Sequence, residues 1–297
     1  NSKNFYFKIK KGLWKNYYLW DLYKKAQTPF KWHKELFSYA KKINIKIFST
    51  PFDNTAVDLL EDLNTPAYKI ASFECADLNL IKRVALTNKP LIISTGMASE
   101  AEIGEATEIA LKYGSGEVTI LHCVSSYPAP ASEYNLNTII DMKKKFGVNV
   151  GLSDHTLDNT TAIAAVALGA VMIEKHVTLD RNGGGPDDSF SLEEHDLKEL
   201  CSSAKSAWKA LGKVNYERTE AEKGNIKFRR SLYFVRPLKK GDIITKNDIR
   251  SVRPGFGLPP KFYDALIGQK VLKAVKENTA VTIDTVDLPR NVRSGIE

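Results

Sequence analysis

Six short apolar runs punctuate the first two thirds of the chain: NIKIFST (44–50), AYKIAS (67–72), PLIIST (90–95), VTILHCV (118–124), VNVGLS (148–153) and VMIEKHV (171–177). They are rich in β-branched residues and nearly continuous in apolar character, as strands covered on both faces must be. Between them, NTAVDLLEDL (54–63), ASEAEIGEATEIALKYG (98–114) and DNTTAIAAVALGA (158–170) carry helical periodicity behind Asn or Ser starts. Two further helices are expected over 15–27 and 28–43, and a long one over 192–212. A strand followed each time by a helix predicts a parallel sheet. No GxGxxG follows an early strand, and the strand ends are rich in Ser, Thr, His and Glu. Both points favour an eight-stranded (β/α)8 TIM-type barrel, which draws its site from every strand end, over a doubly wound sheet. Only six strands are visible, and a helix leads directly into the first. The expectation is a barrel whose first two strands are absent from this chain.

Two of the runs end in histidine, His155 in VNVGLSDHT and His176 in VMIEKHVTLD, close to Ser153, Asp154 and Glu174 and ahead of GGGPDD (183–188). Alone, each is more simply a hydrogen-bonded structural histidine. Two at adjacent strand ends, where parallel α/β folds keep their sites, form a candidate pair of ligands for a divalent metal. His122 reads as a satisfied core residue, and His33 and His195 as surface residues of helices. Lys69 lies in an otherwise apolar strand, where a solvated lysine is out of place.

The net charge of +8 suits an anionic substrate, nucleic acid or a merely basic surface, but the lysines are scattered and no nucleic-acid signature accompanies them. Cys75, Cys123 and Cys201 form no CxxC and are odd in number, which argues against a disulfide framework or a zinc ribbon. No apolar run is long enough to span a bilayer, and the basic, aromatic N-terminus lacks the features of a signal peptide, so a cytoplasmic protein is expected.

After residue 212 the character changes. The stretch 213–230 is highly charged and poor in large aliphatics, as a linker is, and 231–297 reads as short strands broken by KKGD, RPGFG and KENT turns. The expected organisation is a barrel domain (1–212), a linker (213–230) and a small second domain (231–297).

STPF (49–52), AYKIASFE (67–74), STGM (94–97), LHCVSSYP (121–128), GLSDHT (151–156), EKHVTLD (174–180) and GPDD (185–188) occur together in one order. In that order they resemble the sialic acid synthase family over essentially the whole chain. LKKGDIIT and VRPGFG resemble the antifreeze-like (SAF) domain that follows the barrel there. SFE (72–74), GPDDSFSL (185–192) and GLW (12–14) look more like the pseudaminic acid synthase branch.

The resemblance implies condensation of phosphoenolpyruvate with an amino-sugar aldehyde, specifically a 2,4-diacetamido-2,4,6-trideoxyhexose. It places the metal, manganese or else magnesium or cobalt, on His155 and His176. Phosphoenolpyruvate falls to Thr50, Lys69, Ser72, Ser94 and Ser153, with Lys69 the positive anchor; Glu74, Tyr127 and Asp187 fall to the sugar, with Asp188 as a competing neighbour for Asp187. Glu74 joins Lys69 and the two histidines in the catalytic set. Ser125 stands where neuraminate synthases tend to have Asn, and Phe73 replaces a Gly, which suits either a 6-deoxy sugar or packing in the barrel wall. Arg253 matches an arginine that reaches a partner's barrel mouth, which implies a domain-swapped homodimer. Other readings are an N-acetylneuraminate or legionaminate synthase, a Schiff-base pyruvate aldolase using Lys69, and an inactive barrel with a carbohydrate-binding tail. Family members begin with two strands that carry further substrate contacts, and no match for them precedes Asn1, so a chain shortened at its N-terminus, binding metal and substrates poorly, is expected.

Overall fold

The computed structural model describes residues 6–114 and 117–288, and the chain divides into two compact units, Asn1–Gly212 and Lys213–Glu297. In the first unit a short hairpin pairs Lys8 with Tyr18 and leads into α1 (Leu19–Ala26), α2 (Phe30–Lys42) and α3 (Asn54–Asp62). Then strands and helices alternate: β1 (Tyr68–Ile70), α4 (Leu78–Ala85), β2 (Leu91–Ser94), α5 (Glu100–Tyr113), β3 (Val118–Cys123), α6 (Thr138–Phe146), β4 (Asn149–Asp154), α7 (Thr160–Ala167), β5 (Ile173–Lys175) and α8 (Glu194–Leu211). Local chemistry sets several of the helix starts. The Asp53 and Asp77 carboxylates accept from the amides of Ala56 and Leu80, and Ser99 with Glu102 closes a capping box.

The five strands pair in parallel in chain order. A flat sheet would set β1 and β5 roughly 19 Å apart, four strand spacings. Yet Lys69 Nζ on β1 lies 3.6 Å from Glu174 Oε2 on β5. The sheet is therefore curled, half of a barrel, with Lys69 and Glu174 facing each other across its hollow. The apolar core fills the opposite face, where Ile70, Ile93, Ile120, Val150 and Leu152 pack against Val57, Leu60, Ile81, Val84, Ala106 and Ile139 of the helices.

Three sequence expectations need correction. The run 44–50 is not a strand: the Ile45 amide bonds to Ala40 O at the end of α2, Asn44 takes a left-handed φ of 57°, and Ile45 and Phe48 stay exposed with no ladder partner among the described residues. The helix expected over 15–27 begins at Leu19, because Lys15–Tyr18 form the return of the hairpin. His33 is buried, its ring nitrogens within hydrogen-bond distance of Pro29 O and Ser49 Oγ. Among the described residues no helix is long and apolar enough to cross a membrane.

In the second unit an exposed stretch holds the single turn α9 (Glu220–Lys223) and leads to an antiparallel pair, β6 (Ser231–Phe234) with β7 (Ile249–Val252), followed by α10 (Tyr263–Leu266). Leu232, Phe234, Ile249, Leu266, Val281 and Val286 form its core. Asp248 is wholly buried at the edge of that core. It accepts from the Thr245 amide and hydroxyl, both at 2.6 Å, and from Arg236. Burial works against its carboxylate, but the Arg236 and Thr245 contacts prevail and hold its pKa below the ordinary 3.8. A depressed carboxylate pKa stabilises the folded state above the unfolded value, and that contribution fades as pH falls through the folded value. Asp248→Ala is accordingly expected to cost about 1–3 kcal/mol at neutral pH. In urea melts the gap from wild type should close below pH 3.8; a gap independent of pH would contradict this role.

Candidate active site

The polar groups of the hollow lie on two levels. At the lower level Glu174 accepts from Ser153 Oγ at 2.7 Å and Ser94 Oγ at 3.4 Å and sits 3.6 Å from Lys69 Nζ, which also donates to Ile70 O at 2.9 Å. Lys69 is 6 % exposed. Burial lowers its pKa, with Glu174 opposing part of that shift. Two hydroxyls and one ammonium thus converge on a single carboxylate. Glu174 organises the pocket although no role is evident for it from its residue type alone. The signal was present in the spacing: Glu174 precedes His176 by two residues as Ser153 precedes His155, and a period of two puts all four on one face.

The upper level is one pleat repeat, roughly 7 Å, further along the same strands. The imidazoles of His155 and His176 have centroids 5.3 Å apart. His155 is 5 % exposed, its amide donates to Tyr134 Oη at 2.7 Å, and its Nδ1 donates to Val124 O at 2.9 Å. His176 Nδ1 faces Asp187 Oδ2 at 3.4 Å. In both rings Nδ1 is turned to an oxygen, Val124 O for His155 and Asp187 Oδ2 for His176. Burial opposes the charged form of His155, but the Cys123 thiol and the Val124 carbonyl outweigh it and its pKa is raised. Tyr127 stacks 4.3 Å from His155 and 5.9 Å from His176, and Phe190 lies 5.0 Å from His176. Burial pushes the Tyr127 phenol up to about 12, so it is a donor at neutral pH.

Beneath the histidines the β4–β5 register places Asp154 opposite Lys175, on the other side of the sheet from the hollow. Lys175 Nζ donates to Asp154 Oδ2 at 2.9 Å, Thr156 O at 2.7 Å and Asp158 O at 2.8 Å. The loop after β4 is thereby tied to β5, which levels His155 with His176.

GGGPDD distinguishes its two aspartates. Asp188 is consumed by the loop itself, accepting from Thr178 Oγ1 at 2.7 Å and the Gly185 amide at 2.6 Å. A Cβ on Gly185 would lie 2.7 Å from that carboxylate, which is why a glycine stands there. Asp187 is the one turned to His176.

The remaining expected residues divide. Ser72 Oγ accepts from the Gly96 amide at 3.2 Å and donates to Cys123 Sγ at 3.4 Å, with Ser125 Oγ 3.8 Å from the same sulfur. Gly96 permits this convergence, since a Cβ there would meet Ser125 Oγ at 2.1 Å. Cys123 is thus a hydrogen-bonded member of the wall, and its pKa is lowered because contacts with His155, Ser72 and Ser125 outweigh its burial. Among the described residues the buried Glu74 Oε2 has no hydrogen-bond partner, and burial raises the pKa of the carboxyl. Thr50 does not join the set: it lines a separate cavity of 510 Å³ with His33, Phe48 and Asp53. Arg253 follows β7 in the second unit and is exposed. His122 bonds to Tyr134 O, as a satisfied histidine should.

A second group able to offer metal ligands is Glu193, His195 and Asp196, whose ligand atoms lie within 4.8 Å of one another. Its oxygens already have work at the start of α8. Asp196 Oδ2 accepts from the Glu193 amide and Arg181, and Glu193 Oε1 accepts from the Arg181 amide. These are capping contacts on a surface already neutralised by Arg181.

Comparison with known proteins points one way. Residues 1–216 match the NeuB family and residues 229–287 the SAF domain. The chain is 41% identical to a pseudaminic acid synthase of Helicobacter pylori, over 97% of this chain and 85% of the relative. It is also 41% identical to an N,N'-diacetyllegionaminic acid synthase of Campylobacter jejuni, over 86% of this chain and 78% of the relative. Among solved structures, a sialic acid synthetase of Leptospira borgpetersenii in complex with citrate aligns with a TM-score of 0.65 at 34% identity, covering 69% of this chain and 72% of the other.

Proposed function

The chain belongs to the NeuB family and carries a SAF domain, and from that premise we propose that it joins phosphoenolpyruvate to a 2,4-diacetamido-2,4,6-trideoxyhexose, forming pseudaminic acid and phosphate. The observation that carries the reading is the two-level hollow, an anion pocket on Lys69, Ser94 and Ser153 directly below the His155 and His176 pair. Carbon 3 of the enol forms the new bond to the aldehyde carbon, and the aldehyde oxygen takes a proton to become a hydroxyl. Water adds at carbon 2, the carbon–oxygen bond to phosphate breaks, and a 2-keto acid remains. Lys69 and the hydroxyls hold the two anionic groups of phosphoenolpyruvate, and Ser72 contributes from the neighbouring wall. Asp187, Tyr127 and Glu74 orient the sugar; Glu74, whose pKa burial raises, is suited to hydrogen-bond a hydroxyl or move a proton. His155 and His176 fit a divalent ion through Nε2; when bound, manganese, or else magnesium or cobalt, supplies a Lewis acid for the aldehyde oxygen.

The branch is proposed from the pseudaminate-like motifs and the Helicobacter pylori relative, against a legionaminate synthase as the alternative. Product mass after incubation with phosphoenolpyruvate and each candidate sugar tests it. Turnover of the trideoxyhexose is expected to exceed that of N-acetylmannosamine, and preference for a legionaminate precursor would reassign the branch. Arg253 is proposed to complete the sugar site of a partner copy in a domain-swapped homodimer. If so, mixing inactive Lys69→Met and Arg253→Ala chains, with subunit exchange, is expected to restore about a quarter of wild-type activity through the mixed dimers. No recovery would place Arg253 in its own subunit's site, and an Arg253→Ala chain active by itself would place it outside the site altogether.

A further inference from the structure

The N-terminal segment reaches the rim of the hollow through Trp14. The hairpin is closed by Ile9 N to Tyr17 O at 3.0 Å and Asn16 N to Ile9 O at 2.9 Å, which sets Trp14 at its tip. Trp14 Nε1 donates to Pro186 O at 2.9 Å, on the residue preceding Asp187, and its ring lies 5.5 Å from that of Tyr127. At the end of α1, Lys25 Nζ reaches Gly184 O at 3.4 Å, so the segment grips the loop at two carbonyls close before Asp187. The foot of that loop is held from within by Asp188, and Asp187 O accepts from Ser191 Oγ at 2.7 Å, while the Pro186 carbonyl at the tip is taken up by Trp14.

Between segment and loop is a cavity of 270 Å³, walled by Trp14, Tyr17 and Leu22 on one side and Gly185, Pro186 and Ser189 on the other. Apolar packing across this gap is incomplete, so the two side-chain hydrogen bonds carry a disproportionate share of the attachment. We propose that Trp14 is a positioning residue for the sugar acceptor: its indole N–H fixes the Pro186–Asp187 tip, and its ring backs Tyr127, so that Asp187 and Tyr127 meet the acceptor in a set geometry. The proposal rests on the synthase reading above for what the site receives, and on geometry alone for the attachment.

Trp14→Phe keeps an aromatic ring and removes the donor. Loss of one hydrogen bond is expected to raise the acceptor KM about tenfold, while the phosphoenolpyruvate KM stays within about twofold, because the lower level of the site is untouched. Amide exchange at Gly184, Gly185 and Asp187 is expected to quicken in the same variant, with Lys25→Ala giving a smaller change in the same direction. Equal exchange in wild type and Trp14→Phe would overturn the proposal whatever the activity. So would a parallel rise in both KM values with a lowered Tm, which marks general loosening. A wild-type chain that makes no product, with exchange still faster in Trp14→Phe, would sink the synthase reading and leave the attachment standing.

Discussion

Lys69→Met is expected to lower kcat/KM for phosphoenolpyruvate by about 10³-fold, the scale seen when one partner of a desolvated charge pair is truncated. The loss has two parts. The anion pocket is left with neutral hydroxyls, and Glu174, which faces Lys69 at 3.6 Å, becomes an uncompensated negative charge beside an anionic substrate. Lys69→Met with Glu174→Gln should therefore recover part of the loss, whereas Lys69→Arg should recover little in a space where the ammonium already bonds to Ile70 O at 2.9 Å. Since burial lowers the pKa of Lys69, wild-type kcat/KM for phosphoenolpyruvate should fall on the alkaline side at a pH below 10.5, the ordinary lysine value. The same lowered pKa is what an amine nucleophile requires, which keeps a Schiff-base aldolase as the rival reading. Borohydride trapping with pyruvate separates them: the synthase forms no adduct on Lys69, and a stable adduct there would select the aldolase.

Lys175→Met is expected to cost about 3–5 kcal/mol of stability, because it leaves Asp154 charged and buried without its partner. The Asp154 side chain is 0 % exposed and that of Lys175 4 %, and the ammonium also closes the loop after β4 through the Thr156 and Asp158 carbonyls. Adding Asp154→Asn removes the orphaned charge and should return a good part of the loss in urea melts, with coupling between the two sites in a double-mutant cycle. Additive losses would mean that the pair does not act as a unit.

The parallel βα alternation was legible because apolar runs and capped helices leave strong periodic signals; β1, β2, β3 and β5 fall within expected runs and β4 runs one residue past its own, to Asp154. The failure at 44–50 is instructive. NIKIFST has strand composition, yet a strand exists only through its ladder partners, and Asn44 and Ile45 are engaged in ending α2. Lys69 was legible as a polar residue in an apolar strand and His155 and His176 as a pair at adjacent strand ends, whereas Ser94 and Ser153 were reached through the family resemblance. Cys123 and Trp14 were not, since their parts depend on contacts between residues as far apart as Trp14 and Pro186, and for Glu174 the spacing gave the face but only curvature sets it opposite Lys69. Asp187 and Asp188 are indistinguishable by type; only the wrapping of Gly183 and Gly185 around the second carboxylate separates them.

The central claim is that one hollow binds phosphoenolpyruvate below and an aldehyde above and joins them. Phosphate release measured together with product mass, with and without the sugar aldehyde, tests this most directly in the presence of manganese. The account expects phosphate to appear only when the aldehyde is present, one phosphate for each molecule of product, with a product mass equal to that of the sugar plus a pyruvate unit. Phosphate released at the same rate without aldehyde, or a condensation product formed from pyruvate in place of phosphoenolpyruvate, would contradict it.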